Sequence, residues 1–131
     1  IEIMDPDRIT ASEVDWSLIS PGEGVLFKTR NSREGLVKSG KFVSDFVYLS
    51  PDAAKKVNEC KASLVGIDYI SIEQFGVEHF HSHLEVLGQD VIVLEAVNLE
   101  GISEGTYTLM CLPLKLSSAD ASPVRAILIE D

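Results

Sequence analysis

Cysteine is scarce: Cys60 and Cys111 are the only two, far apart and outside any Cys-x-x-Cys pattern. The expected state is two buried thiols in a reducing, cytoplasmic compartment, with a single disulfide as the alternative. Basic residues are also few, 11 Lys and Arg against 21 Asp and Glu, for a net charge of −10. A nucleic-acid backbone needs a basic surface, so this balance argues against nucleic acid and anionic membranes as partners. No apolar run approaches the roughly 20 residues that cross a bilayer. There is no Gly-x-Ser-x-Gly for a serine hydrolase and no Asp-rich loop of about twelve residues for an EF-hand calcium site. A cysteine hydrolase fits poorly, because both thiols lie in core-like segments.

What is present is a chain that should fold. Apolar residues make up 45% of 131 residues, and no tract is of low complexity. That length suits one domain, residues 1–131, with a real core. The chain opens on Ile1-Glu2-Ile3-Met4, which reads as a strand already in mid-fold. The expectation is the C-terminal portion of a longer chain.

The stretch most suggestive of chemistry runs from His79 to Glu95. All three histidines, His79, His81 and His83, fall in its first five residues. A short helix and a Gly88 turn follow, then the apolar run Val91–Leu94, closed by Glu95. A carboxylate at the edge of a core needs a partner. His83 and Glu95, twelve positions apart on successive elements, can meet at one site, as a metal or an acid–base pair requires. The plainer alternative pairs Glu95 with Lys28 or Arg125 and leaves His83 to cap its helix.

In chain order, a strand over residues 1–4 ends at Pro6. The Thr10…Glu13 spacing predicts a capping box and a short helix from Ala11 that turns Val14 and Leu18 inward. A turn at 21–24 leads to a strand, Gly24–Thr29. Residues 30–41 read as a long polar loop. Phe46–Ser50 is a short strand, and Ser50-Pro51 starts a helix that runs to about Lys61. Ser63–Asp68 is a buried strand. This strand–helix–strand order predicts a crossover with parallel pairing. His81–Leu87 is a helix, and Val91–Val97, Thr106–Leu112 and Pro123–Ile129 are strands. Val91–Leu94 and Leu109–Leu112 read as buried strands of one mixed sheet, because strands covered on both faces appear as unbroken apolar runs. The class is α/β, with more strand than helix.

Several of these pieces, in this order, resemble the cyclase-like metal-dependent hydrolases, a family that includes bacterial kynurenine formamidase. They are Gly24–Thr29, Tyr48-Leu49-Ser50 with Ala53-Ala54, Leu64–Asp68, His83 with Leu87, Val91–Glu95, Gly105–Leu109, Leu112–Leu116 and Pro123–Leu128. The resemblance covers about Ile9 to Leu128. It implies a swivelling β/β/α domain, a mixed sheet with flanking helices. It implies metal-dependent hydrolysis of an amide or cyclic amide, with N-formylkynurenine as the family's best-known substrate and zinc or manganese as the ion. The family's histidine and glutamate twelve residues apart map onto His83 and Glu95, as metal ligands and catalytic groups. His79 and His81 match no family site residue. The family's His-x-Gly-Thr-His-x-Asp-x-Pro-x-His motif is not in this sequence and is expected upstream of Ile1. With two ligands in place of the three usual for catalytic zinc, this chain by itself is expected to bind metal weakly. The resemblance also implies a homo-oligomer, or association with the part carrying the motif. The reading from a different class is a non-catalytic scaffold that binds a small molecule or a partner.

Overall fold

The computed structural model describes residues 1–130. Its centre is a three-stranded parallel sheet in the order β2–β4–β5, with β2 at Gly24–Phe27, β4 at Leu64–Ile67 and β5 at Ile92–Leu94. Val25, Val65 and Val93 align across it, as do Phe27 and Ile67 on β2 and β4. These side chains share one face, and all five belong to the core or pack against it. The core also holds Ala53, Ala54 and Val57, the inner face of α2 (Pro51–Glu59), and Val86 of α3 (His81–Leu87). Pro51 at the first turn of α2 gives up an N–H that no carbonyl would have received. The positions 53, 54 and 57 form one apolar stripe at helical spacing. β4 is buried at all four positions, as the middle strand of a covered parallel sheet should be.

The opposite face carries Leu26, Leu64, Gly66 and Ile92. Gly66 has a packing reason: a Cβ there would stand 2.3 Å from Leu26 Cδ2, so the leucine lies across it. A cavity of about 730 Å³ opens between this face and residues such as Tyr107, Leu109, Cys111 and Leu128.

A small parallel pair, β1 (Arg8–Ile9) with β3 (Tyr48–Leu49), and an antiparallel hairpin, β6 (Thr108–Pro113) with β7 (Val124–Ile129), complete the strands. The mixed α/β class stands, but the strands divide into three separate sheets. Residues 109–112 therefore do not share a sheet with 91–94. Met110 and Leu112 are exposed on the hairpin, and Ile92 is exposed on β5. An unbroken apolar run matches a two-sided burial that the tertiary contacts do not provide there.

Other expectations need correction. Residues 1–4 make only a single bridge, Glu2 to Lys28. The segment after Thr10 forms a 3-10 turn at Trp16–Leu18, with Val14 buried but Leu18 exposed. Glu13 does not close a capping box; its carboxylate accepts from the backbone N–H groups of Met4 and Asp5. The loop at 30–41 contains α1 (Arg30–Arg33) and a 3-10 turn at Val37–Ser39. Parallel pairing joins β4 to β2 and β5, not to β3. Both cysteines are free thiols but only half-buried. No helix among the described residues is long and apolar enough to cross a membrane.

Candidate functional site

Three parallel strands end on the same edge. Asp68 directly follows β4 and Glu95 directly follows β5, while Thr29 lies two residues beyond β2. In open α/β sheets, ligands bind at the carboxyl ends of the strands, where the loops diverge. The polar groups of this chain gather at that edge.

Glu95 leaves β5 half-buried, and the chain turns sharply behind it. Ala96 sits at φ 59° and donates its N–H to the carbonyl of Tyr69 at 2.7 Å. A left-handed alanine is strained, and the turn holds the carboxylate at the sheet edge. Glu95 Oε1 accepts the backbone N–H of Ile72 at 2.9 Å and lies 3.2 Å from His83 Nε2. The Ile72 carbonyl in turn accepts from Leu49 N–H, tying this loop to β3. Neither Lys28 nor Arg125 pairs with Glu95; Lys28 is engaged by Glu2 and the carbonyl of Ile102.

His83 lies in the first turn of α3, and Phe80 packs edge-on against its ring at 6.4 Å. Its second nitrogen, Nδ1, lies 3.3 Å from Glu73 Oε2. Glu73 is buried, and it also accepts the N–H groups of Ser82 and His83. Phe80, at the N-cap of α3, has no side chain that can cap, so an acid from the preceding loop does the work. Sequence reasoning missed Glu73. The missing local cap signals that some remote acceptor is needed, but not which one. His79 and His81 are exposed and contact each other at 5.7 Å, apart from this group.

A second buried carboxylate, Asp68, was legible only as the end of a buried strand, without its partners. It accepts from Thr29 N–H (2.7 Å), Thr29 Oγ1 (2.8 Å), Asn31 Nδ2 (3.3 Å) and Ser32 N–H (3.0 Å). Asn31 then pairs with both backbone groups of Val47. One carboxylate thus fastens β2, α1 and the approach to β3 to the end of β4.

Glu95 lines a cleft of about 310 Å³ with Ala96–Leu99 and residues of the hairpin, whereas His83 does not. The larger cavity contains none of Glu73, His83 and Glu95. For a metal ion, a neutral imidazole nitrogen beside a carboxylate oxygen is a suitable donor pair for zinc or manganese. Glu73 faces the other ring nitrogen and cannot join them. Among the described residues, no three His, Cys, Asp or Glu are placed to hold an ion together. The pair therefore fits two positions of a coordination shell.

The hydrogen bond that the His83 ring donates to Glu95 raises its pKa above the ordinary 6.5; burial opposes this, and the charge of Glu95 and the contact with Glu73 add to it. A histidine whose pKa is raised by folding contributes stability that is fully present below 6.5 and is lost as pH rises through the folded value. The unfolding temperature of the metal-free chain should therefore fall across that window, with a shallower slope in Glu95→Gln. Calorimetry against pH measures it; identical slopes in the two proteins would contradict the coupling.

No protein-family model matches the chain. Individual proteins do. Cyclase-like protein 3 of Oryza sativa subsp. japonica is 38% identical over 133 residues, covering 99% of this chain and 49% of that protein. Kynurenine formamidase of Sphingopyxis alaskensis is 32% identical, covering 94% of this chain and 57% of that protein. A solved structure described as a potential metal-dependent hydrolase with cyclase activity superposes with a TM-score of 0.85 at 32% identity, over 97% of this chain and 62% of that one. The chain spans about half the length of the curated relatives it matches. Over that span it belongs to the family of the cyclase-like proteins and bacterial kynurenine formamidases.

Proposed function

We propose that the chain supplies part of the active site of a metal-dependent hydrolase acting on an amide or cyclic amide. The reaction to test first is the arylformamidase reaction, N-formylkynurenine to kynurenine and formate. The observation that carries this is the pairing of His83 Nε2 with Glu95 Oε1, 3.2 Å apart, at the carboxyl edge of the parallel sheet. The names borne by its relatives support the same chemistry. The swivelling β/β/α arrangement belongs to this proposal as its fold.

His83 and Glu95 would hold a zinc or manganese ion, which when bound makes a water more acidic and polarises a carbonyl. The chain's own groups do the rest. Through the carboxylate oxygen not given to the ion, Glu95 can orient the attacking water, take its proton and pass it to the leaving nitrogen. The water oxygen bonds to the formyl carbon, the carbon–nitrogen bond breaks, and the nitrogen leaves with a proton. The Ile72 N–H holds Glu95 in place, and Glu73 holds the ring. Two ligands are fewer than the three usual for catalytic zinc, so further ligands must come from outside the described residues.

Dialysis of the protein against a chelator should abolish formamide hydrolysis, and added zinc or manganese should restore it. Turnover indifferent to the chelator would sink the proposal.

A further inference from the structure

The three groups of the site stand in a line. Glu73 Oε2 is 3.3 Å from Nδ1, and Glu95 Oε1 is 3.2 Å from Nε2, on opposite sides of one imidazole. The two sides are not equivalent. The Glu73 side chain is 7% exposed and that of Glu95 31%. Glu73 is also clamped by the N–H groups of Ser82 (3.4 Å) and His83 (3.1 Å), while its own N–H donates to Ser71 Oγ at 3.0 Å.

A neutral imidazole has one N–H to give. Placed on Nε2, it would leave the buried Glu73 facing the Nδ1 lone pair, acceptor against acceptor, in a space that water hardly reaches. Placed on Nδ1, it satisfies Glu73. The half-buried Glu95 side then loses less, because Oε1 keeps the Ile72 N–H and water can solvate the carboxylate from its open side. We propose that Glu73 is a positioning residue: it keeps the ring proton on Nδ1 and so turns the Nε2 lone pair toward Glu95. A carboxylate behind a ligating histidine fixes both tautomer and ring orientation. The tautomer assignment stands on the metal-free geometry, and its value for metal binding rests on the function proposed above.

The test is long-range proton–nitrogen spectroscopy of the complete protein, ¹⁵N-labelled and metal-free, at a pH where His83 is neutral, followed by titration with zinc alone. The exposed His79 and His81 serve as references in the same spectrum. The expected result is a proton on Nδ1 of His83. Glu73→Gln is nearly isosteric but places an amide –NH₂ where a carboxylate oxygen accepted. It should move the proton toward Nε2 and weaken zinc binding about 10–100-fold, leaving His79 and His81 unchanged. A wild-type proton on Nε2 would overturn the inference without any variant. So would a Glu73→Gln protein with unaltered tautomer and affinity. A proton on Nδ1 in a wild-type protein that binds no zinc would support the positioning role and overturn the metal assignment, which separates the two claims.

Discussion

Glu95→Ala is expected to remove bound metal and hydrolysis together, with a loss of more than about 100-fold in each. Even the partners behind a ligand cost 10–100-fold when lost, and Glu95 is proposed to be a ligand itself. The substitution takes away a negative charge, one of two adjacent donors, and the acceptor of the Ile72 N–H. That last loss costs stability of about 1–2 kcal/mol, which could be mistaken for a functional effect. Glu95→Gln separates the two. Its amide oxygen still accepts from Ile72 and its volume is unchanged, so the fold should hold while metal content and turnover fall. Metal analysis and amide hydrolysis are to be measured on the same samples of the complete protein. Unchanged metal content with unchanged turnover in Glu95→Ala would remove Glu95 from the site.

Asp68→Ala should be the most destabilising single change at the sheet edge, by about 3–5 kcal/mol, as for other buried charged groups that lose their network. The mechanism is specific. The buried N–H groups of Thr29 and Ser32 lose their acceptor, as do the Thr29 hydroxyl and the Asn31 amide. Each stranded donor costs about 1–3 kcal/mol, and water can satisfy part of that in the smaller side chain's cavity. Against a total stability of about 5–15 kcal/mol this is a large fraction, equivalent to a fall in unfolding temperature on the order of 10–20 °C. Asp68→Asn should repair it only in part: an amide oxygen at the Oδ2 position keeps the Thr29 and Ser32 N–H groups, but the –NH₂ at the other position faces the Asn31 amide, which already donates, and forces the Thr29 hydroxyl to accept. Denaturant unfolding of both variants measures the effect. A loss below about 1 kcal/mol in Asp68→Ala would show that the network does not carry the strand ends.

The sequence by itself determined the elements whose cause is local. Pro51 after Ser50 starts α2, although the Ser50 hydroxyl bonds Ile9 and Asp52 rather than capping. The apolar runs at 24–27, 64–67 and 92–94 become strands because their content suits a buried ladder. An acid that ends such a run needs a partner, and this is why Glu95 could be singled out with His83. The tertiary structure decided what depends on neighbours distant in sequence. Whether β6 lies in a core or on an exposed hairpin turns on which strand pairs beside it, and apolar content at 109–112 carries no such information. Asp68 closes the apolar run 64–67 as Glu95 closes 91–94, so the sequence calls for a partner without naming it, and Glu73 looks like an ordinary surface acid. Asp68 and Glu73 are buried because backbone donors, from Thr29 and Ser32 in one case and Ser82 and His83 in the other, arrive at them across the fold. A buried carboxylate is tolerated only where donors converge, and that convergence is a property of how the loops close over the strand ends.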